Sequence, residues 1–126
     1  FASYGNTTET LIAEILKGSF PGVMEIGFAL VGVRDVAEAH FQAMFKEGTS
    51  GKRYVASGSL TPFGDIFKYL KEEFEQYGYE INDKPVTAQE VVASGNPIAQ
   101  RQVPMIGKSM RVRNERSKKE LGMNWE

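Results

Sequence analysis

Between Ile26 and Met44 the apolar residues change their spacing within a few positions, and few folds accommodate such a change. Ile26, Phe28 and Leu30 alternate with Gly27, Ala29 and Val31, the two-residue period of a strand. Asp35 and Glu38 then stand at capping-box spacing, which makes Asp35 the expected helix N-cap. Val36, Ala37, His40, Phe41 and Met44 follow at helical intervals until Gly48, and this stripe is expected to face a core. Strand, cap and helix succeed one another without a linker, so the chain reads as a mixed α/β fold.

The same grammar recurs on both sides. Asn6-Thr7-Thr8-Glu9 is a capping box, and Leu11, Ile12, Ile15 and Leu16 share a face before Gly18, which predicts a helix over 7–17. Arg53 to Ala56, short, apolar-centred and bounded by Gly51 and Gly58, predicts a buried strand. Thr61 as cap and Pro62 in the first turn predict a helix whose Phe63, Ile66, Phe67, Leu70, Phe74 and Tyr77 form the strongest apolar stripe of the chain. An extended piece is expected over 80–85, then a brief helix opened by the Thr87/Glu90 capping box and closed by Gly95. Between Asn96 and Gly107 the pattern is lost. Met110 to Val112 is compatible with a strand, and Asn114 with the cap of a last helix in which Leu121 packs inward and Gly122 ends the run.

Composition narrows the function. With 41% hydrophobic residues, 126 residues suffice for a packed core. A net charge of −1 gives no reason to expect a polyanion binder, so nucleic acid is not an expected partner. Arg101, Lys108, Arg111, Arg113, Arg116, Lys118 and Lys119 make the last quarter basic, a pattern that fits either solvated faces or an anionic ligand or partner. The absence of cysteine fits a reducing compartment, and neither a membrane span nor a signal peptide is visible, so a cytoplasmic protein without membrane partners is expected. One histidine and no cysteine leave no metal site in view. The first residue is Phe1 rather than Met, and the chain reads as part of something larger.

The run Leu30-Val31-Gly32-Val33-Arg34-Asp35-Val36-Ala37, with Ser50-Gly51-Lys52-Arg53-Tyr54 and Ser57-Gly58, resembles the C-terminal half of the extended short-chain dehydrogenase/reductases. It is nearest their dihydroflavonol-reductase-like branch, within the NAD-dependent epimerase group. Ser117-Lys118-Lys119-Glu120-Leu121-Gly122 resembles the closing turn of that family. The resemblance implies an α/β fold in which residues 1–126 are a single C-terminal substrate-binding lobe together with the last strand and helix of a Rossmann-type sheet. The N-terminal dinucleotide-binding portion would lie outside this chain. It also implies NADP or NAD as cofactor of the complete enzyme, with none held by this chain alone.

By the same resemblance Ser3, Tyr4 and Gly5 belong to a loop that touches the nicotinamide end of the cofactor, although a frayed chain start fits them equally. Met105 and Ile106, after Pro104, are candidates to line the substrate pocket or to cover the core. No catalytic residue is assigned. The family's proton donor is a tyrosine acidified by a lysine four positions on, and Tyr4, Tyr54, Tyr69, Tyr77 and Tyr79 all lack that lysine. The expected function is the substrate-binding part of an NAD(P)-dependent oxidoreductase acting on a carbonyl or hydroxyl of a small organic molecule, completed by an N-terminal half or another protein chain. The alternative is a catalytically inactive, reductase-like binding or assembly module.

Overall fold

The computed structural model describes residues 7–108 and 110–125, and the chain divides into two compact units. The first gathers residues 7–26 with Pro62–Lys108, and the second gathers Gly27–Thr61 with residues 110–125.

Helix α1 (Thr7–Leu16) opens the first unit with Ile15 buried, and Gly18, at φ +69°, stops it as its position predicts. Its expected cap, Asn6, lies outside the described residues.

In the second unit, strand β1 (Gly27–Ala29) is followed by helix α2 (Val33–Phe45). Strand β2 (Leu60–Pro62) runs directly into helix α3 (Phe63–Phe74) of the first unit. The two strands form one two-stranded sheet. The hydrogen bonds at its ends, Phe63 N–H to Ile26 O and Gly58 N–H to Leu30 O, make the pair antiparallel. Helix α3 starts one residue later than the sequence suggests, with Pro62 as N-cap and Thr61 still in β2. The remaining helices are α4 (Ala88–Ala93) and α5 (Pro97–Gln100), with short 3₁₀ turns at Glu75–Tyr77 and Val103–Met105, and a π-helical turn over Ser117–Leu121 near the end.

The first unit packs around three aromatic rings. Phe63 and Phe67 are fully buried from α3 and meet edge to face at 4.9 Å, while Phe20 adds rings at 5.7 Å and 6.0 Å. The stripe read from the sequence is thus the core, except at its end, where Tyr77 leaves the helix and is exposed. The extended piece over 80–85 is held by a parallel bridge between Val23 and Pro85. That bridge fixes Gly22: at φ +146° its Cα faces the Lys84 carbonyl so closely that a Cβ would lie 2.5 Å from the oxygen. In α4 the capping box forms as expected: Thr87 N–H donates to Glu90 Oε2 at 2.7 Å, and Glu90 N–H donates to Thr87 Oγ1 at 3.3 Å.

Between Asn96 and Gly107, where the periodicity fails, a single buried side chain organises the backbone. Asn96 Oδ1 accepts from Ile98 and Ala99 N–H, both at 3.0 Å, and its Nδ2 donates to Ser19 O at 3.1 Å. Pro97 at the first helical position completes the start of α5.

Three expectations for the second unit are corrected. Arg53 to Ala56 forms no strand, because no neighbouring strand pairs with it among the described residues, and Ala56 is exposed. Met110 to Val112 likewise forms none. Helix α2 begins at Val33 after Gly32, so Asp35 is in the first turn rather than at the cap; its carboxylate folds back over Gly32, close enough that a Cβ there would lie 3.2 Å from Oδ2.

Candidate functional site

The side chains of the second unit converge from α2, residues 52–60 and the C-terminal turn. Helix α2 turns Ala39 inward, and Ala39, Leu121, Met123 and Trp125 form the buried cluster, with Val31, Ala43 and Tyr54 packed against it. Small residues on this face let the C-terminal turn approach the helix closely. Ser117 is completely buried within that turn. Its hydroxyl faces Val55 O and Asn114 O, each at 2.7 Å, and accepts from Trp125 Nε1 at 3.3 Å. Asn114 does not cap with its side chain: Nδ2 donates instead to Ser57 O at 2.6 Å, tying the chain beyond residue 110 to residues 57–58. Gly122, at φ +76°, ends the turn as its position predicts.

The opposite face of α2 overturns the expected direction of its stripe. Phe41, Met44 and His40 are exposed, as are Val33 and Phe45, at 56%, 75%, 82% and 70% for Phe41, Met44, Val33 and Phe45. Phe41 and Phe45 stack on each other at 4.7 Å, one helical turn apart. The helix is therefore apolar on two sides, with alanines toward its own unit and large side chains away from it. His40 does not sit in a core; its Nδ1 lies 2.7 Å from Val36 O in the preceding turn.

Two concave sites are built here. A cavity of about 210 Å³ is lined by Ala39, His40, Ala43, Tyr54, Val55, Ala56, Leu121 and Trp125, nearly all apolar. Beside it Tyr54 donates to Glu120 Oε2 at 2.8 Å, and Lys52 Nζ donates to the same oxygen at 2.9 Å. Partial burial, followed by the hydrogen bond to Glu120, raises the Tyr54 phenol above its ordinary value. A lysine thus stands near a tyrosine, but the carboxylate between them makes that phenol a weaker acid. The Glu120 carboxyl is held below its ordinary value, first by Lys52 and then by Tyr54, while its hydrogen bond raises Lys52. The trio is a clamp between residues 52–54 and the C-terminal turn. It is not the lysine-acidified tyrosine that the resemblance would call for.

The second, larger cavity, about 480 Å³, is lined on its polar side by Ser59, Arg111, Arg113, Asn114, Glu115 and Lys118, and on its apolar side by residues that include Leu60, Val112 and Trp125. In the sequence these cations are legible as a basic run; that three of them share one cavity is not.

Of the residues expected at a site, Ser3, Tyr4 and Gly5 lie outside the described residues. Met105 and Ile106 are half-buried in the first unit. Met105 N–H donates to Gln102 O at 2.8 Å and Ile106 N–H to Val103 O at 3.2 Å, around the 3₁₀ turn that contains Pro104. Neither lines the two cavities of the second unit. No helix among the described residues is long and apolar enough to cross a membrane.

No family model matches the chain. Over 67 residues, 52% of its length, it is 40% identical to an uncharacterized oxidoreductase of Saccharomyces cerevisiae and covers 20% of that protein. Over 98% of its length it superposes on a reductase engineered to attenuate substrate inhibition in asymmetric catalysis, with a TM-score of 0.63 and 19% identity, covering 33% of that chain. By sequence it is related to oxidoreductases, and its fold is that of part of a reductase. It spans a fifth of the one relative and a third of the other.

Proposed function

We propose that this chain is the substrate-binding part of an NAD(P)-dependent oxidoreductase of the extended short-chain type, acting on a carbonyl or hydroxyl group of a small organic molecule. The observation that carries the reading is the outward face of α2: Val33, Phe41, Met44 and Phe45 are exposed large apolar side chains on a fold that superposes on one third of a reductase. A dinucleotide-binding portion is the partner proposed for that face. The segment Arg53–Ala56, which no strand pairs among the described residues, supports the same partner, because a sheet supplied by that portion would give its remaining backbone groups a ladder.

The described residues do not fit a nicotinamide dinucleotide. The chain has no glycine-rich turn with the spacing that cradles a pyrophosphate, and Tyr54, tied to a lysine through a hydrogen-bonded network, has its acidity weakened rather than enhanced. Hydride transfer is accordingly assigned to the partner portion. What this chain contributes is a walled, partly apolar surface on which a substrate is held and water is excluded.

The test is the intact mass of the protein isolated from its natural source, with peptide mapping, followed by oxidation of NADPH and NADH against a panel of aldehydes and ketones. The expected result is a polypeptide of which this chain forms about a third, bearing a glycine-rich loop and a Tyr-x-x-x-Lys pair, with carbonyl-dependent turnover. A polypeptide of 14.0 kDa with no turnover would overturn the reading in favour of an inactive binding or assembly module.

A further inference from the structure

Two sets of cations in the second unit differ in their partners. Lys52 and Arg116 are engaged by Glu120, at 2.9 Å and 4.0 Å, and Arg116 also reaches Arg53 O at 3.5 Å. The side chains of Arg111, Arg113 and Lys118 make no ion pair or hydrogen bond among the described residues, yet all three line the same 480 Å³ cavity. Among the described residues Glu115 is the one carboxylate in that lining, so these four side chains sum to +2 in a chain whose own net charge is −1. Unpaired like charges held at one concavity repel each other unless an anion joins them. The backbone that places them is fixed: Asn114 Nδ2 is bonded to Ser57 O, Gly58 N–H donates to Leu30 O at 2.7 Å, and Ser117 is anchored within the core.

The rest of the lining is different in kind. Ala29, Leu60, Met110, Val112 and Trp125 present apolar surface, and the indole N–H of Trp125 is already used by Ser117. We propose that this cavity binds a phosphate group carried on an apolar organic body. The two guanidinium groups match phosphate oxygens in bidentate geometry, Lys118 adds a point charge, and the apolar wall holds the body of the ligand. The site stands apart from the reductase reading, because its test involves neither nucleotide nor turnover.

Trp125 is the only tryptophan of the chain and lines the cavity, so its emission reports occupancy directly. The probes are phenyl phosphate, inorganic phosphate and sodium chloride, each titrated at matched ionic strength. Phenyl phosphate is expected to saturate the signal and to bind about tenfold more tightly than inorganic phosphate, with no saturable response to chloride. The double substitution Arg111→Gln/Arg113→Gln is expected to weaken phenyl phosphate about a hundredfold, and Lys118→Gln about threefold to tenfold. Arg101→Gln/Lys108→Gln, in the first unit, is expected to leave binding unchanged. Circular dichroism of each variant verifies that the fold persists. Equal binding of phenyl and inorganic phosphate, a response shared with chloride, or undiminished binding by the Arg111/Arg113 variant would each overturn the proposal.

Discussion

The two units dispose of their large apolar side chains in opposite ways. In the first, Phe20, Phe63 and Phe67 close on one another, and the large side chains left exposed are Tyr69, Tyr77, Tyr79 and Val92, three of which carry a polar tip. In the second, the buried cluster is only Ala39, Leu121, Met123 and Trp125, while Leu30, Val33, Phe41, Met44, Phe45, Leu60 and Val112 are exposed. Hydrophobic surface on that scale is unfavourable in water, and the partner proposed above would cover it. One unit buries its large apolar side chains, whereas the other leaves most of them exposed.

Breaking the first core is expected to have the largest effect. Phe67→Ala should cost about 3–5 kcal/mol in urea or thermal unfolding, because it removes a ring that packs on two others. In contrast, Phe41→Ser on the outward face of α2 should change the stability of this chain by no more than about 0.5 kcal/mol and should increase its solubility. If Phe41→Ser destabilised the chain as strongly as Phe67→Ala, the contrast between the units would be wrong.

Within the second unit the buried hydroxyl should matter most. Ser117→Ala leaves Val55 O, Asn114 O and the Trp125 indole N–H without their shared partner, at a cost of about 1–3 kcal/mol, and should shift Trp125 emission. Unchanged emission and stability would show that the turn is held by packing alone. A smaller loss, about 1 kcal/mol, is expected for Thr87→Ala in the first unit, because it removes the cap of α4. Amide exchange at Glu90 is the sensitive readout, and an unaltered rate would contradict it.

The clamp at Glu120 is solvent-facing, so its effect is local and the smallest. Glu120 is lowered in the folded chain, so its contribution is present above the ordinary glutamate value of 4.5 and is lost as the pH falls through the folded value. Lys52 and Tyr54 are raised, so theirs is present below their ordinary values of 10.5 and 10.0 and is lost as the pH rises through the folded ones. Resonances of residues 52–54 and 120 should therefore be level at neutrality and move together toward acid and alkali. Independent titration of Lys52 and Glu120 would show that the clamp does not form in solution.

Much of the first unit is legible in the sequence because its determinants are local: the Thr87/Glu90 box, the stripe of α3 and the glycines that stop α1 and α4 each act within a turn. Asn96 escapes such reading, since periodicity does not register a capping side chain ahead of a four-residue helix, although Asn followed by Pro is a signal for one. In the second unit the determinants are long-range. The stripe of α2 is correctly spaced, but spacing does not say which of two apolar sides meets the chain's own core and which meets something else. Arg53 to Ala56 has the composition of a strand, and only a neighbour would make it one. The basic run of the last quarter is visible as charge; that Arg111, Arg113 and Lys118 share a cavity depends on contacts across the unit.

The outward face of α2 is most directly tested by hydroxyl-radical footprinting of the protein as it occurs in its natural source, with Tyr69 and Tyr77 as exposed internal references. A covered face predicts that Phe41 and Met44 are protected there, independently of protein concentration, and become as reactive as the reference tyrosines in the isolated 126-residue chain. Full reactivity of Phe41 and Met44 in the natural protein would contradict the account, because the face would then be solvent-exposed where the protein works.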